Sequence, residues 1–530
     1  MNGIEAKAPV EDILRSVNGG LFSDARKVVV FAVLAALYLL PFMRVVMGTD
    51  EGLLVYGSVR IVQGQVFARD FFEIVGPGTL YWVALFFKVF GVSFVVAHAC
   101  LFLTSLGTAV LMFILSRRIC NLYQTLPCVV IAATSFGAIW PTISHHVDSN
   151  LVALLAVSSA VLWVDRGSSV LLFVTGIADG VTVWVHLPKG IYLMIALLVW
   201  VFVQRKQRPY WVRNGLLLLG GCGVVVGLGS IYFASQHALW DVFNATFLWP
   251  SQHYGGANTV PYGSGIVSTY WNLWSFGSSE LNCTKILAGF FIIPFLLVAA
   301  LPVLLPVLGV SDWRKLLRPD ISLFWLCGWA MWLSEYHRKE ICHLVFGSPL
   351  LILLAVYYLQ RMKHKLAGYG LQILMMSGFT LAIANLGLVL VAHATPTRVG
   401  TVAMFKADPV IAQIEARIPV GEEVLVYPSN PVYYFLTRTK NPIRWGGLMY
   451  NYNSQADFQS VVAALERDQV KFVVWDTGFM EQNLRVIFPS AKTPSNDQLI
   501  VEPYLETHYR TVWEDRGVRI MERGVAEDGR

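Results

Sequence analysis

Charge is what this chain is short of. Lys, Arg, Asp and Glu make up only 14% of its 530 residues, while 55% are hydrophobic; a soluble domain carries about 25% charged residues. So few charges cannot cover a globular surface of that volume with polar atoms, so lipid must cover part of it. The formal net charge of +6 does not mark a nucleic-acid binder. The basic residues fall in short clusters between apolar runs, and strand-spaced aromatic and basic interleaving is missing. Cysteine is scarce too. Cys100, Cys120, Cys128, Cys222, Cys283, Cys327 and Cys342 form no CxxC pair and leave the polar C-terminal region empty. Most sit in apolar segments as small packing residues. Only Cys283 and Cys342 are placed where they could meet outside the cytoplasm, and a disulfide there is not the expected reading. Polar residues 1–27 precede the first apolar run and no small-residue cleavage site follows it, so a cleavable signal peptide is not expected.

What is there is a series of bilayer-length apolar runs: 28–46, 94–116, 123–141, 147–165, 168–184, 188–204, 213–233, 284–308, 320–335, 343–360 and 367–392. They predict an α-helical polytopic membrane protein with about eleven spans. With residues 1–27 in the cytoplasm, the cytoplasmic segments hold Arg26-Lys27, Arg117-Arg118, Arg166, Arg205-Lys206-Arg208, Arg314-Lys315-Arg318 and Arg361-Lys363-Lys365. The outside segments hold far fewer, and loop 234–283 has no Lys or Arg at all. That asymmetry sets the expected orientation, with the C-terminus outside the cytoplasm.

Residues 79–116 test the count. Two spans there would put Arg117-Arg118 outside and reverse every later cluster. Residues 79–90 are therefore read as a helix lying in the outer interface, started near Pro77 and stopped at Gly91. A second amphipathic helix is expected at 51–62, with Leu54, Val55, Val59 and Val62 at helical spacing. Gly221-Cys-Gly223-Val-Val-Val-Gly227 superficially looks like a dinucleotide turn. It lies inside a span with no strand before it, so helix packing through Gly223 and Gly227 is expected.

From about residue 396 the composition becomes that of a soluble domain, which is assigned to 393–530. Helices are expected at 408–418, 431–437 and 457–468, strands at 423–427 and 471–475, and closing strands near 511–523, a small α/β layer structure. It carries no glycine-rich phosphate loop, metal spacing or nucleophile elbow, and so no chemistry of its own.

The informative segment is the outside loop 48–93. Asp50 and Glu51 stand just past the first span, where Asp50 is either a helix cap or a functional acid. Arg69-Asp70-Phe71-Phe72 adds a second acid among interfacial aromatics, with a plain turn as the alternative. Outside cations are few: Lys189 in His186-Leu187-Pro188-Lys189, and Arg338, Lys339 and His343 in the segment 335–343. They read as phosphate ligands, against the alternative that Arg338 and Lys339 snorkel and pair with Glu335 and Glu340. His145-His146-Val147-Asp148 forms an outside turn. Hydrogen bonding or acceptor contact is expected there, with divalent-metal ligation as the minor alternative. Trp240, Trp249, Trp271, Trp274, Tyr254 and Tyr262 in loop 234–283 form either a sugar-facing rim or an interfacial belt.

Thr49-Asp50-Glu51-Gly52, an amphipathic helix ending Gln63-Gly64-Gln65, then Arg69-Asp70-Phe71-Phe72, Gly76-Pro77-Gly78, an aromatic interfacial helix, Phe90-Gly91, a span and Arg117-Arg118 follow one another in that order. Over roughly 28–360 the chain resembles the GT-C glycosyltransferases, which include protein O-mannosyltransferases and the aminoarabinose transferases of lipid A. Gly76-Pro77-Gly78 stands where the O-mannosyltransferases have His-Pro-Pro, a departure that argues against that subfamily. The resemblance implies a GT-C-like catalytic domain over 28–392. It implies an inverting transfer of a sugar from a polyprenyl-phosphate donor to a lipid, glycan or protein acceptor. This would occur on the extracytoplasmic face, at a bacterial inner membrane. By the same resemblance Asp50 matches the acidic residue of the first outside loop, taken as the base, with Glu51 or Asp70 orienting the acceptor. Lys189, Arg338, Lys339 and His343 would bind the donor phosphate, and no cofactor or nucleic acid is expected. A lipid or solute transporter is the alternative. Its spans, however, would carry mid-membrane charges, and here they hold almost none beyond Asp179. A non-catalytic scaffold is the third reading.

Overall fold

The computed structural model describes residues 25–46, 48–123, 125–126, 128–130, 140–254, 260–266, 282–310, 316–362, 365–405, 407–450, 452–479 and 499–524. Among these, seven helices are long and apolar enough to cross a bilayer, with an eighth if one bent pair counts as a single span. This is a multi-pass integral membrane protein. The crossing helices are α1 (Ala25–Leu39, prolonged by a 3₁₀ turn to Arg44), α4 (Phe94–Ile119), α5 (His145–Arg166), α7 (Leu187–Val203, prolonged by a 3₁₀ turn to Lys206), α8 (Trp211–Ser235), α10 (Asn282–Val310) and α14 (Lys365–Leu390). Between α1 and α4 lie α2 (Thr49–Val62) and α3 (Pro77–Phe90). The first matches the amphipathic helix expected from the sequence. The second starts at Pro77 and stops at Gly91, whose φ of 86° only glycine adopts easily.

Of the remaining runs, one lies mostly outside the described residues, two are met by helices at the expected places and one is bent. The run 123–141 falls mostly outside the described residues. Runs 168–184 and 320–335 form α6 (Ser169–Val185) and α11 (Pro319–Glu335), 17 residues each. At a rise of about 1.5 Å per residue, each covers about 26 Å, a little short of a bilayer core. Run 343–360 is not one straight helix. It divides into α12 (Ile341–Gly347) and α13 (Pro349–Arg361), bent by 74°. Pro349 has no N–H to continue the ladder, and the Gly347 backbone is pressed against Trp332 and Met331.

Helices α6 and α8 pack through glycine, but not the glycines expected. A methyl group on Gly176 or Gly221 would strike the backbone of the other helix, whereas nothing lies within 4 Å of Gly223 or Gly227. The two backbones touch on the Gly221 face, where small residues permit close approach.

The bundle has two chemically distinct ends. At one, Arg118 is held by Asp165 at 2.5 Å and Asp320 at 3.1 Å, tying α4, α5 and α11 together. At the other stand the start of α5, the start of α7 and the close of α11, and there the first loop meets the C-terminal domain.

That domain begins with the short antiparallel pair β1 (His393–Thr395) and β2 (Val402–Met404). Its main sheet has the order β3-β4-β6-β5: β3 (Val424–Tyr427), β4 (Phe472–Asp476), β5 (Tyr509–Asp515) and β6 (Val518–Arg523). The β3–β4 pair is parallel and the others antiparallel. Helices α15 (Pro409–Arg417), α16 (Val432–Thr437), α17 (Gln455–Arg467) and α18 (Val501–His508) complete it. All the elements expected there from periodicity are present. The domain is fastened to the first loop: Tyr56 stacks on Tyr434 with centroids 4.8 Å apart, and Tyr56 Oη accepts from Asn441 N at 2.7 Å. Arg60 donates to the Ile443 carbonyl at 3.1 Å, and Phe72 packs on Trp445 at 4.7 Å.

Candidate active site

Helix α11 ends in a carboxylate with no exposed surface, and three cationic or imidazole groups converge on it. Glu335 lies 2.8 Å from Lys189 Nζ, 2.7 Å from His146 Nδ1 and 3.8 Å from His186 Nδ1. Lys189, near the start of α7, also donates to Ser149 Oγ at 2.9 Å and Asn150 Oδ1 at 2.8 Å. Its three N–H bonds are thus filled by three acceptors, which is how an ammonium with no exposed surface is tolerated. The expected phosphate ligand Lys189 thus has its donors taken up by protein groups. It holds Glu335 from behind, and Glu335 holds the histidines.

The turn after α11 supplies a second ionic group. Glu340 Oε2 accepts from Arg338 Nη2 at 2.9 Å, and Glu340 Oε1 lies 2.8 Å from His343 Nδ1. Burial works to raise the Glu340 pKa, but the hydrogen bond from His343 and the charges of His343 and Arg338 overcome it and hold it at about 2. Arg338 in turn bonds Tyr254, whose hydroxyl is pushed up to about 12, chiefly by burial. The Arg338–Glu340 pair matches the alternative weighed for the sequence. Lys339 goes elsewhere, its ammonium 4.9 Å over the Tyr336 ring.

Asp50, in the first turn of α2, falls within electrostatic range of Arg338, His343, Glu340 and Tyr254. Its side chain is exposed, with protein atoms crowded around the carboxylate. Burial raises its pKa above the usual carboxylate range, with Arg338 and His343 pulling it back.

The other acids of the first loop do not join it. Glu51 is buried and pairs with His98 Nε2 at 2.6 Å, locking α2 to α4. Asp70 pairs with Arg69 at 2.8 Å and accepts from Val66 N at 2.7 Å, so it builds its own turn. Asp148 accepts from Thr79 at 2.7 Å and Thr104 at 2.9 Å, a buried tie among α3, α4 and α5.

Beside this cluster opens a cavity of about 630 Å³, within the range typical of ligand sites. Its lining includes the apolar side chains Val226, Val242, Phe243 and Phe247 and the polar ones His145, His146, His186, His337 and Tyr254. Burial lowers the His337 pKa, so this imidazole is held in the neutral form. An aromatic chain links this lining to the C-terminal domain: Tyr254 and Tyr452 lie 5.8 Å apart at 14°, Tyr452 meets Trp249 at 5.8 Å, and Trp249 meets Phe72 at 5.1 Å. Tyr254 lines the cavity, and Trp249 packs between Tyr452 and Phe72. Trp240 is exposed, and Trp271 and Trp274 lie outside the described residues. Cys342 is a free thiol, and the Cys283 side chain lies outside the described residues.

Sequence reading missed Glu335 as the hub and Tyr254 as the partner of Arg338. One signal was available: Glu335 is an acid at the very end of an apolar run, in loops where cations are rare. Metal-capable groupings among the described residues are His145, His146 and His186, and separately Glu340, Cys342 and His343.

The chain has the GT-C fold of polytopic membrane glycosyltransferases. Among solved structures it is similar to ArnT from Cupriavidus metallidurans bound to undecaprenyl phosphate, with a TM-score of 0.57 and 14% identity over 96% of this chain and 99% of that one. The apo state of the same protein gives a TM-score of 0.59 at 14% identity, over 94% of this chain and 98% of that one. The Archaeoglobus fulgidus oligosaccharyltransferase gives 0.50 at 10% identity, covering 94% of this chain and 75% of that one. No family model and no curated protein matches the sequence.

Proposed function

We propose that this protein is a membrane glycosyltransferase that takes a sugar from a polyprenyl-phosphate donor. On this reading it transfers the sugar, with inversion, to a lipid, glycan or protein acceptor on the extracytoplasmic face. The observation that carries the reading is the placing of Asp50 within electrostatic range of Arg338 and His343, with Tyr254, the partner of Arg338, lining a cavity that holds both apolar and imidazole side chains. The ArnT structure with undecaprenyl phosphate supports a lipid phosphate as the donor's leaving group.

The chemistry suits the parts. An acceptor hydroxyl attacking an anomeric carbon must lose its proton, and a carboxylate of raised pKa such as Asp50 is a suitable base. A departing lipid phosphate gains negative charge, which Arg338, steadied by Glu340, stabilises in a place from which bulk water is largely excluded. The apolar lining of the cavity takes prenyl carbons. His343 assists Arg338, while Lys189 positions Glu335 without touching donor. Lys339 stays at the rim. Glu51 and Asp70 shape the loop that carries Asp50, and His145 and His146 line the polar wall where donor phosphate or acceptor would lie.

The test is transfer of radiolabelled sugar by the protein in nanodiscs, from a small panel of polyprenyl-phosphate sugars to lipid extracts. Transfer that is lost in Asp50→Asn supports the reading. Transfer that proceeds at an unchanged rate in that variant overturns Asp50 as the base.

A further inference from the structure

The polar wall of the cavity is unusual in what it gathers. His145 and His146 open α5, and His186 stands at the junction of α6 and α7, forty residues on. Their rings nevertheless touch: centroids are 3.9 Å apart for His145–His146, 5.1 Å for His145–His186 and 5.2 Å for His146–His186. One ring nitrogen from each lies within 4.8 Å of the other two, and all three residues face the same cavity.

From this geometry we infer that His145, His146 and His186 form a three-histidine site for a divalent transition metal such as Zn²⁺.

Four observations carry this. The first is distance. Nitrogens bound tetrahedrally at about 2.0–2.1 Å from an ion stand about 3.3 Å apart. The nitrogens here lie within 4.8 Å of one another, a spacing that an ion would draw in. The second is orientation. His146 Nδ1 faces Glu335 at 2.7 Å, so that nitrogen is the one bonded to carboxylate and Nε2 is left to ligate. A carboxylate behind a ligating imidazole fixes its tautomer and raises its basicity. The third is satisfaction. Among the described residues His145 makes ring contacts but no side-chain hydrogen bond to protein, so a ligand in the cavity is what its nitrogens can meet. The fourth is the tying back of Asp148. Its carboxylate is spent on Thr79 and Thr104, so the nearest acid in sequence is not a ligand and the third position falls to His186. Three imidazoles facing open volume leave the fourth coordination position to water or to an anionic group in the cavity, the pattern of an open rather than a closed zinc site. Imidazole donors with no thiolate and no bound carboxylate favour Zn²⁺, Cu²⁺ or Ni²⁺ over Mg²⁺ or Ca²⁺.

The inference does not depend on sugar transfer, because it is read by binding alone. Purified full-length protein in detergent is stripped with chelator, dialysed and titrated with ZnCl₂, and in parallel with CoCl₂ for its visible d–d absorption. Expected are one Zn²⁺ per chain and a Co²⁺ spectrum with tetrahedral intensity that Zn²⁺ displaces. In His145→Ala/His186→Gln, affinity for Zn²⁺ falls at least about tenfold and the Co²⁺ band disappears. The exposed His393→Ala leaves both unchanged. Size-exclusion profile and melting temperature of the stripped proteins establish that the double variant is folded. If it is not, the single His145→Ala, at the cavity wall, carries the test. Absence of stoichiometric Zn²⁺ binding overturns the inference. So does binding that survives the double variant but is lost in His343→Ala, which assigns the metal to Glu340, Cys342 and His343 instead.

Discussion

Lys189 Nζ and Glu335 lie 2.8 Å apart with no exposed surface on either side chain. A pair so deeply buried is weak evidence for net stability, because desolvating two ions offsets most of their attraction. Removing one partner is another matter. Lys189→Met leaves the Glu335 charge to two histidines, and Glu335→Gln leaves an ammonium with only Ser149 and Asn150. Each is expected to destabilise the protein by about 3–5 kcal/mol. Lys189→Met/Glu335→Gln should cost clearly less than the sum of the two. Thermal melts of the four proteins in one detergent give the comparison. Additive losses would mean the pair is not coupled.

Asp50 and Arg338 give a kinetic prediction. A base works only when ionised, so transfer should fall as pH drops through the Asp50 pKa, which burial holds above the usual carboxylate range. The Arg338 charge pulls that pKa down. Arg338→Gln should therefore move the acid limb of the kcat/KM profile to higher pH, besides lowering the rate. An acid limb that stays in place would show that Asp50 is not the titrating group. Asp50→Asn should lower kcat by at least about a hundredfold while leaving the melting temperature near wild type.

How much of this was legible in the sequence follows from what local pattern can and cannot encode. The helix Pro77–Phe90 and the strand and helix order after residue 400 are written in periodicity, caps and turn residues, and the structure has them. The polytopic helical class is written in the bilayer-length apolar runs, and the GT-C likeness came from a resemblance that the motifs of the first loop carry. Partner choice is different. Glu51 meets His98, Asp148 meets Thr79 and Thr104, and Lys189 meets Glu335 across more than a hundred residues. No local signal distinguishes an acid that keeps exposed surface, such as Asp50, from its neighbour one residue on, which helical geometry turns by about 100° into the packing. The glycine contact between α6 and α8 was missed for a similar reason. The GxxxG spacing at Gly223 and Gly227 is only a pattern, and the face actually in contact is set by where α6 lies.

Glu73 offers a pH test away from the chemistry. It is buried beside Gly446 of the C-terminal domain, and burial raises its pKa to about 8, with Arg60 opposing. The folded state therefore holds a proton that the unfolded chain releases near its ordinary value of 4.5. Protons bound are greater in the native state, so stability falls as pH rises from about 4.5 to about 8. Glu73→Gln, which cannot ionise, should melt higher than wild type at pH 8 and the same at pH 4. A variant that melts lower at pH 8 would show that the ionised carboxylate is the stabilising form.

Gly52 fixes how closely the C-terminal domain sits on the loop that bears Asp50. A methyl group there would lie 2.6 Å from Val432 Cα and even nearer its nitrogen, both backbone atoms that cannot rotate away. Gly52→Ala must therefore push α16 off α2. The Tyr56–Tyr434 stack and the Tyr56–Asn441 hydrogen bond lie on the same interface and would loosen with it. Overpacking of this kind costs about 1–3 kcal/mol, so the melting temperature should drop. Limited proteolysis should cut between α14 and the sheet faster than in wild type. Gly48→Ala is the control for helix position. No atom lies within 4 Å of where its methyl would stand, and its φ of 105° makes any effect one of local strain. If Gly48→Ala lowers the melting temperature without faster cleavage while Gly52→Ala does both, domain docking is what Gly52 protects. Equal proteolysis in the two variants would refute that.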